Sequence, residues 1–297
     1  GGACAIPAIM STRNISNWKE RLITIMVTPF ISCSARIPVY AILIGFAVPQ
    51  GRILGFEQQG LALMGLYGIG IVAALVAAYV LKQIIKSEDR SFLMMELPIY
   101  RPPVPKNLFF LVFEKTKSFV LGAGKIILII SLVLWFLASF GPGPSTSNPA
   151  GESLSTETRQ RPPLEESYAG ILGKTIEPVI RPLGFDWKIG IALICSFAAR
   201  EVFVGTMATI YSIDDDSDVT SIRTHMAQDR NPKTGLLIYT AATTWSLLIF
   251  YVFAMQCMST LAIVKRETKS WKWPIIQFVM MTSLAYLGSF VVYQLLS

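Results

Sequence analysis

Apolar residues fall in long runs separated by short polar or basic stretches, and two of the runs are interrupted at their centres. The first, Leu22 to Val48, is long enough to cross a bilayer. Its middle, from Thr28 to Tyr40, holds Pro29, Ser32, Cys33, Ser34, Arg36 and Pro38. Each proline removes a backbone donor and strains the preceding turn, so the pattern predicts a broken helix. Lipid cannot satisfy the freed carbonyls, so they are expected to face a protein-lined cavity. A cation at mid-span costs about 2.5–3.5 kcal/mol on insertion scales, so Arg36 needs a partner or water. Gly60 to Leu81 reads as a clean span with a Gly65/Gly68/Gly70 face for close helix packing. Phe119 to Phe140 is a third span, with Lys125 snorkelling at one end. Gly235 to Val264 is a long span broken at Gln256-Cys257, and Trp273 to Leu296 a clean last one.

The stretches between are informative too. Gly1 to Arg13 is too short to span and reads as the second arm of a re-entrant hairpin. Pro49 to Gln59 is a short loop. Lys82 to Lys117 carries seven Lys/Arg and is the strongest cytoplasmic signal, with an interfacial segment at Asn107–Phe119. Gly141 to Trp187 is rich in Pro, Ser, Thr and Glu. Its first half is expected to be mobile, and Tyr168–Ile180 to form a short surface helix. Lys188 to Ser212 is apolar but interrupted by Ser196-Phe197-Ala198-Ala199-Arg200-Glu201. If it crossed once, the basic Lys265–Lys272 loop would fall outside, against the positive-inside tendency. A hairpin that dips in and returns puts that loop inside and the acidic Asp214–Asp218 run outside. The re-entrant reading is adopted.

That choice exposes an internal repeat. Each half reads as a hairpin, a span broken at a cysteine, then a clean span. The first broken span runs outward and the second inward. In such inverted repeats the broken helices meet near the midplane and build the site.

Composition agrees. Of 297 residues 53% are hydrophobic and 15% charged, against about 25% charged in soluble domains. The chain is therefore an all-α polytopic membrane protein in contact with lipid. The net charge of +7 marks cytoplasmic loops, and nucleic acid need not be invoked. Cys4, Cys33, Cys195 and Cys257 form no CxxC pair, so a disulfide framework is not expected. Gly173-Lys174-Thr175 resembles the end of a phosphate loop, but Tyr168 stands where the motif requires glycine, leaving no nucleotide site. The single histidine, His225, reads as a solvated loop residue.

Several segments together resemble the membrane part of the ferrous iron transport protein B family. They are Cys4-Ala-Ile-Pro-Ala with Thr12-Arg13; Ser32-Cys33-Ser34-Ala35-Arg36 with Pro38-Val39-Tyr40; Glu96-Leu-Pro-Ile-Tyr-Arg-Pro; Ser196-Phe-Ala-Ala-Arg-Glu with Val204-Gly205-Thr206; and Gln256-Cys257 followed by Thr260. The resemblance covers essentially the whole chain. It implies multi-pass residence in a bacterial inner membrane and Fe(II) as the transported substrate. It also implies two inverted gate repeats, similar in plan to concentrative nucleoside carriers. The first repeat would take residues 1–81, a cytoplasmic linker 82–118, and the second repeat 119–297 with its outer loop 141–187. The family's N-terminal GTP-binding domain has no counterpart in these residues, which points to a truncated or cleaved product and no enzymatic activity of its own. A small cytoplasmic FeoA-like partner and a homo-oligomer are further implied.

Fe(II) accepts thiolate, thioether, imidazole and carboxylate ligands. Cys33 and Cys257, one per broken span, are the expected metal ligands. Cys4 joins from the hairpin tip, and Ser32, Ser34 and Gln256 complete a weak shell. Glu201 is either a ligand or the ion-pair partner of Arg36 or Arg200, and the ion pair is preferred because unpaired arginines in a membrane are costly. Cys195, Met207, Met255 and Met258 read as packing. Two rival readings stay open. One is a carrier of an organic solute such as a nucleoside, held by Arg36, Glu201 and Gln256. The other is a non-transporting membrane scaffold.

Overall fold

The computed structural model describes residues 2–49, 51–53, 55–85, 105–119, 121, 128, 129, 132, 136, 168–198, 200, 202–211, 226, 229, 237–254 and 257–297. Among these, four helical stretches are long and apolar enough to cross a membrane: Trp18–Ala47, Gln58–Ile84, Ala241–Thr268 and Lys272–Leu296. Four of the five expected spans are thereby present, within a few residues of their expected ends. The fifth, 119–140, lies largely outside the described residues.

The first half opens on α1 (Ala5–Ser11) and a short 3₁₀ turn at Thr12–Asn14. The first crossing then comes in two pieces, α2 (Trp18–Val27) and α3 (Ile37–Ala47). Between them lie 3₁₀ turns at Thr28–Phe30 and Ser34–Arg36, separated by extended backbone at Ile31 and Cys33. Pro29 ends the α-helix because its nitrogen has no proton to give. Pro38 falls in the first turn of α3, where that loss is harmless. A two-stranded ribbon, β1 (Arg52–Ile53) with β2 (Phe56–Glu57), turns at Gly55, whose φ of 87° suits glycine. The polar loop expected at 49–59 thus holds a small hairpin. Helix α4 (Gln58–Ile84) recrosses without a break, and α5 (Pro105–Phe119) follows. Helix α5 exposes Phe109, Phe110 and Phe113, as an interfacial helix would.

The second half begins with α6 (Tyr168–Ile180), followed by α7 (Trp187–Ala198) and α8 (Val202–Ile210). Helix α6 is more than the surface helix expected. Gly173 backs so closely onto α7 that a Cβ there would stand 2.6 Å from Ile191. Helices α7 and α8 pack together as a hairpin. Its open ends meet at Asp229, which takes Lys188 at 2.7 Å and the Tyr211 hydroxyl at 2.6 Å. Both arms therefore enter and leave on one side, as the re-entrant reading requires. The second broken crossing is α9 (Ala241–Phe253) and α10 (Met258–Thr268), and α11 (Lys272–Leu296) closes the fold.

The halves pack reciprocally. In each, the unbroken span lies along both pieces of its own broken span: α4 on α2 and α3, α11 on α9 and α10. The opening helix of the first half and the hairpin of the second each lean on the other half's second piece, α1 on α10 and α8 on α3. Helix α3 also packs on α9, and the largest apolar core fills this junction with Tyr40, Leu43, Phe203, Leu247 and Tyr251, all fully buried. The close-packed face of α4 is narrower than its glycines suggest. Gly70 backs onto the first break, where a Cβ would stand 3.2 Å from the Phe30 carbonyl, but Gly65 and Gly68 face open space. The helix turns Leu66, Gly70 and Ala74 inward, a stripe at i, i+4 and i+8 that leaves the other two glycines off it.

Polar side chains hold the crossings together. Gln277 of α11, fully buried, donates to the carbonyls of Ile25 and Met26, both at 3.1 Å. Pro29 cannot donate to the Ile25 carbonyl one turn earlier, and Gln277 supplies the missing proton from the other half. Ser246 and Ser289 pair at 2.6 Å between α9 and α11. Glu267, at the end of α10, binds Arg13 and also Arg21, the latter at 2.6 Å. That tie joins the basic Lys265–Lys272 loop to the basic start of α2.

Two outcomes are expected. Single cysteines at Arg181 and Lys272, in a cysteine-free background, label from opposite faces of sealed vesicles; labelling from one face contradicts the hairpin topology. Gln277→Ala lowers stability by about 1–2 kcal/mol, because two buried carbonyls lose their donor. Its unfolding midpoint in detergent then falls by a few degrees while that of the exposed Gln294→Ala does not. Equal midpoints for the two variants contradict the assigned role of Gln277.

Candidate functional site

Both breaks are built the same way. A helix ends, and a cysteine in extended conformation stands immediately before the next helix starts. Cys33 (φ −97°, ψ 162°) precedes the Ser34–Arg36 turn, and Cys257 (φ −154°, ψ 101°) precedes α10. Cys4 (φ −152°, ψ 139°) holds the same position before α1. All three are free thiols of intermediate exposure, whereas Cys195 is buried against Ile191 within the hairpin, as a packing residue should be. The residue before Cys4 takes a hydrogen bond from Ser34, next to Cys33, and α1 packs on α10, which Cys257 precedes. The start of α1, the first break and the second break are therefore neighbours. Among the described residues no three of His, Cys, Asp and Glu stand close enough together to hold one ion.

The start of α1 and the tip of the α7–α8 hairpin dock on the breaks. Ser34 donates to the Ala3 carbonyl through both its backbone N–H, at 3.3 Å, and its hydroxyl, at 3.0 Å. This bond fixes Cys4 beside Cys33. In the second half Arg200, at the tip between α7 and α8, donates through Nη2 to the Ala254 carbonyl at 3.0 Å. Ala254 ends α9 in extended conformation, so Arg200 caps the second break from outside the helix.

Arg36 is wholly buried and works within its own break. Its Nη1 donates to the Ser32 hydroxyl at 2.9 Å and its Nη2 to the Pro29 carbonyl at 3.5 Å. Among the described residues its partners are thus a hydroxyl and a carbonyl. The alternative partner, Glu201, lies outside them, as do Gln256, Met255 and His225. Met207 is fully buried in the core, as expected of packing. Ser32 and Ser34, expected to face an ion, are already engaged by Arg36 and Ala3. Among the described residues, Nε of Arg36 at the first break, and Nε and Nη1 of Arg200 at the second, are buried donors without a hydrogen-bond partner.

Sequence reasoning missed Gln277, which sits in an otherwise plain span. A glutamine among apolar residues in a membrane helix was the available signal. It also missed Asp229 as the tie of the hairpin base. Burial is the largest influence on Tyr211, and Tyr239 and Asp229 add to it, pushing its phenol well above the ordinary range. It stays protonated and donates to Asp229.

The comparisons agree with this architecture. The sequence pattern of the Gate family, described as nucleoside recognition, matches residues 1–47 and 120–271. That of the ferrous iron transport protein B C terminus matches residues 63–115. The chain is 45% identical over 293 residues to a protein named Fe(2+) transporter FeoB from Leptospira interrogans, covering 98% of this chain and 41% of that protein. It is 35% identical to the Fe(2+) transporter FeoB of Staphylococcus aureus, covering 99% and 39%. A Fe(2+) transport protein A/Fe(2+) transporter FeoB fusion protein of Porphyromonas gingivalis is 35% identical over 321 residues, covering 99% of this chain and 37% of the relative. The chain thus spans about two fifths of the length of these relatives. No solved structure matches. The relatives and the four crossings make this a multi-pass protein of a bacterial inner membrane. With its two broken crossings and the matches that cover them, the chain belongs to the Gate family and represents the C-terminal membrane region of ferrous iron transporter FeoB.

Proposed function

We propose that this chain forms the membrane pathway for Fe(II), which passes the thiols of Cys4, Cys33 and Cys257. One observation carries the reading: Cys33 and Cys257 stand at helix restarts on the two breaks, and Cys4 opens α1, which is tied to the first break through Ala3 and packs on α10 beyond the second. Thiolates bind Fe(II) and discriminate against Mg(II) and Ca(II), which prefer oxygen shells. Gln256 and Glu201 are assigned to the same pathway, the first as a weak ligand and the second as counter-charge to Arg200. Ser32 and Ser34 hold the first break and still offer lone pairs to a passing cation. Arg36 and Arg200 are structural here, bracing the breaks. A transient shell of this kind lets the ion leave, which tight closure by three thiolates would not. The bridging of Fe(2+) transport protein A and FeoB in one relative supports a small FeoA-like partner on the cytoplasmic side. The GTP-binding domain of the resembled family is the second partner, and a homo-oligomer the assembly.

Uptake of Fe(II) into vesicles holding the chain, with and without a GTPase partner, tests this. Cys33→Ser and Cys257→Ser each reduce uptake sharply with folding intact. Together they lose less than the sum, because either change alone spoils a shared path. Cys195→Ser leaves uptake unchanged. Uptake also falls as pH drops below neutral. A thiol must lose its proton to bind metal, and a free thiol has a pKa of about 8.5. Full uptake by the double variant contradicts the proposal.

A second reading rests on the description of the Gate family as nucleoside recognition. Under it the broken helices hold an organic solute, and uptake of a labelled nucleoside survives both cysteine changes but not Gln256→Ala.

A further inference from the structure

The junction of α10 and α11 carries a feature that the transport path does not use. A cavity of about 360 Å³ is lined by Ala262, Lys265, Arg266, Lys269, Ser270 and Trp271. Three of these six side chains are cationic, and all three are exposed. Among the described residues none of the three is in a salt bridge; the acid of this segment, Glu267, is turned inward to Arg13 and Arg21. Lys269 takes a left-handed backbone with φ 52°, which folds the turn tightly so that the basic end of α10 and Trp271 share one pocket. Lys265 lies 3.8 Å above the Trp271 ring, and this cation–π contact sets one wall.

Position adds the second half of the argument. Both flanking helices cross the membrane, so their junction lies at its surface, and its basic loop marks the cytoplasmic leaflet. Below the pocket, Trp271, Ile275 and Val279 project from one face of α11 at i, i+4 and i+8, at 61%, 56% and 55% exposure. Such a stripe faces acyl chains. A cationic pocket directly over an open apolar stripe is amphipathic in the sense a phospholipid is, with charge at the headgroup level and hydrocarbon beneath.

We propose that this pocket binds the phosphate of an anionic glycerophospholipid, whose acyl chain lies along Trp271, Ile275 and Val279. Lys265, Arg266 and Lys269 neutralise the phosphodiester, Ser270 donates to its oxygens, and the indole sits at the glycerol level. The occupied site then clamps α10 against α11, at the end of the crossing that carries Cys257.

The test uses the purified chain, with native mass spectrometry of retained lipid and unfolding midpoints in nanodiscs. Phosphatidylglycerol is retained in preference to phosphatidylcholine and raises the midpoint. Each basic residue near an anionic headgroup contributes about fivefold to binding. The triple variant K265Q/R266Q/K269N therefore binds phosphatidylglycerol roughly a hundredfold more weakly and loses the midpoint shift. Its phosphatidylcholine midpoint matches the parent, which shows that it folds. Val279→Ser weakens retention further without altering charge. Inorganic phosphate in large excess fails to displace the lipid. Equal retention of the two lipids, unchanged retention by the triple variant, or displacement by inorganic phosphate overturns the proposal. None of these readouts depends on iron, so the lipid site and the transport reading succeed or fail separately.

Discussion

In hydrocarbon a backbone carbonyl without a donor has nowhere to turn, and the fold of this chain follows from that constraint. Each broken crossing exposes carbonyls that an intact helix would have consumed. At the first break Pro29 leaves Ile25 without its usual donor, and Gln277 supplies one from the opposite half. At the second, Arg200 supplies one to Ala254 from the hairpin tip. An unmade buried hydrogen bond costs about 1–3 kcal/mol, so each break is stabilised by that much through its donor. The cysteines stand where they do because these residues hold the backbone extended there.

The two halves meet the same requirement with different residues while sharing one plan. An amide reaching across from α11 and a guanidinium reaching in from a hairpin are not interchangeable side chains, yet each fills the same vacancy. The serine at the first break adds a third solution. Ser34 turns the relation round and donates to the hairpin's Ala3 carbonyl. What the pseudosymmetry conserves is the hydrogen-bond demand, not the residue that meets it.

This also sets what could be read from the sequence. Four of the spans, both breaks and the re-entrant hairpin were legible because membrane thickness fixes run length and prolines, polar residues and basic loops mark interruptions and sides. The cysteines were legible because they sit at those interruptions. Gln277 was not, because nothing local distinguishes a glutamine that faces another half from one that faces a neighbouring turn. Its partners, Ile25 and Met26, lie some 250 residues away and are themselves ordinary. The glycine face of α4 failed for a related reason. Spacing alone allowed three glycines, but the helix presents one narrow stripe, and only Gly70 lies on it against the first break.

Helix α1 and the α7–α8 hairpin are anchored at opposite ends of the molecule by carboxylates of unequal commitment. Glu267 is 3% exposed and takes two arginines, from the 3₁₀ turn after α1 and from α2. Asp229 is 15% exposed and takes one lysine and one phenol. Parting a deeply buried carboxylate from its cations strands an uncompensated charge, at a cost of several kcal/mol. A more exposed acid regains water as it loses its partner, and so loses less. The inner end is therefore the more firmly tied, and the outer end, where α7 and α8 open toward Asp229, the easier to part. The proposed ion path between the breaks would inherit that asymmetry, because Cys4 opens α1, the helix that leads into the turn Glu267 pins.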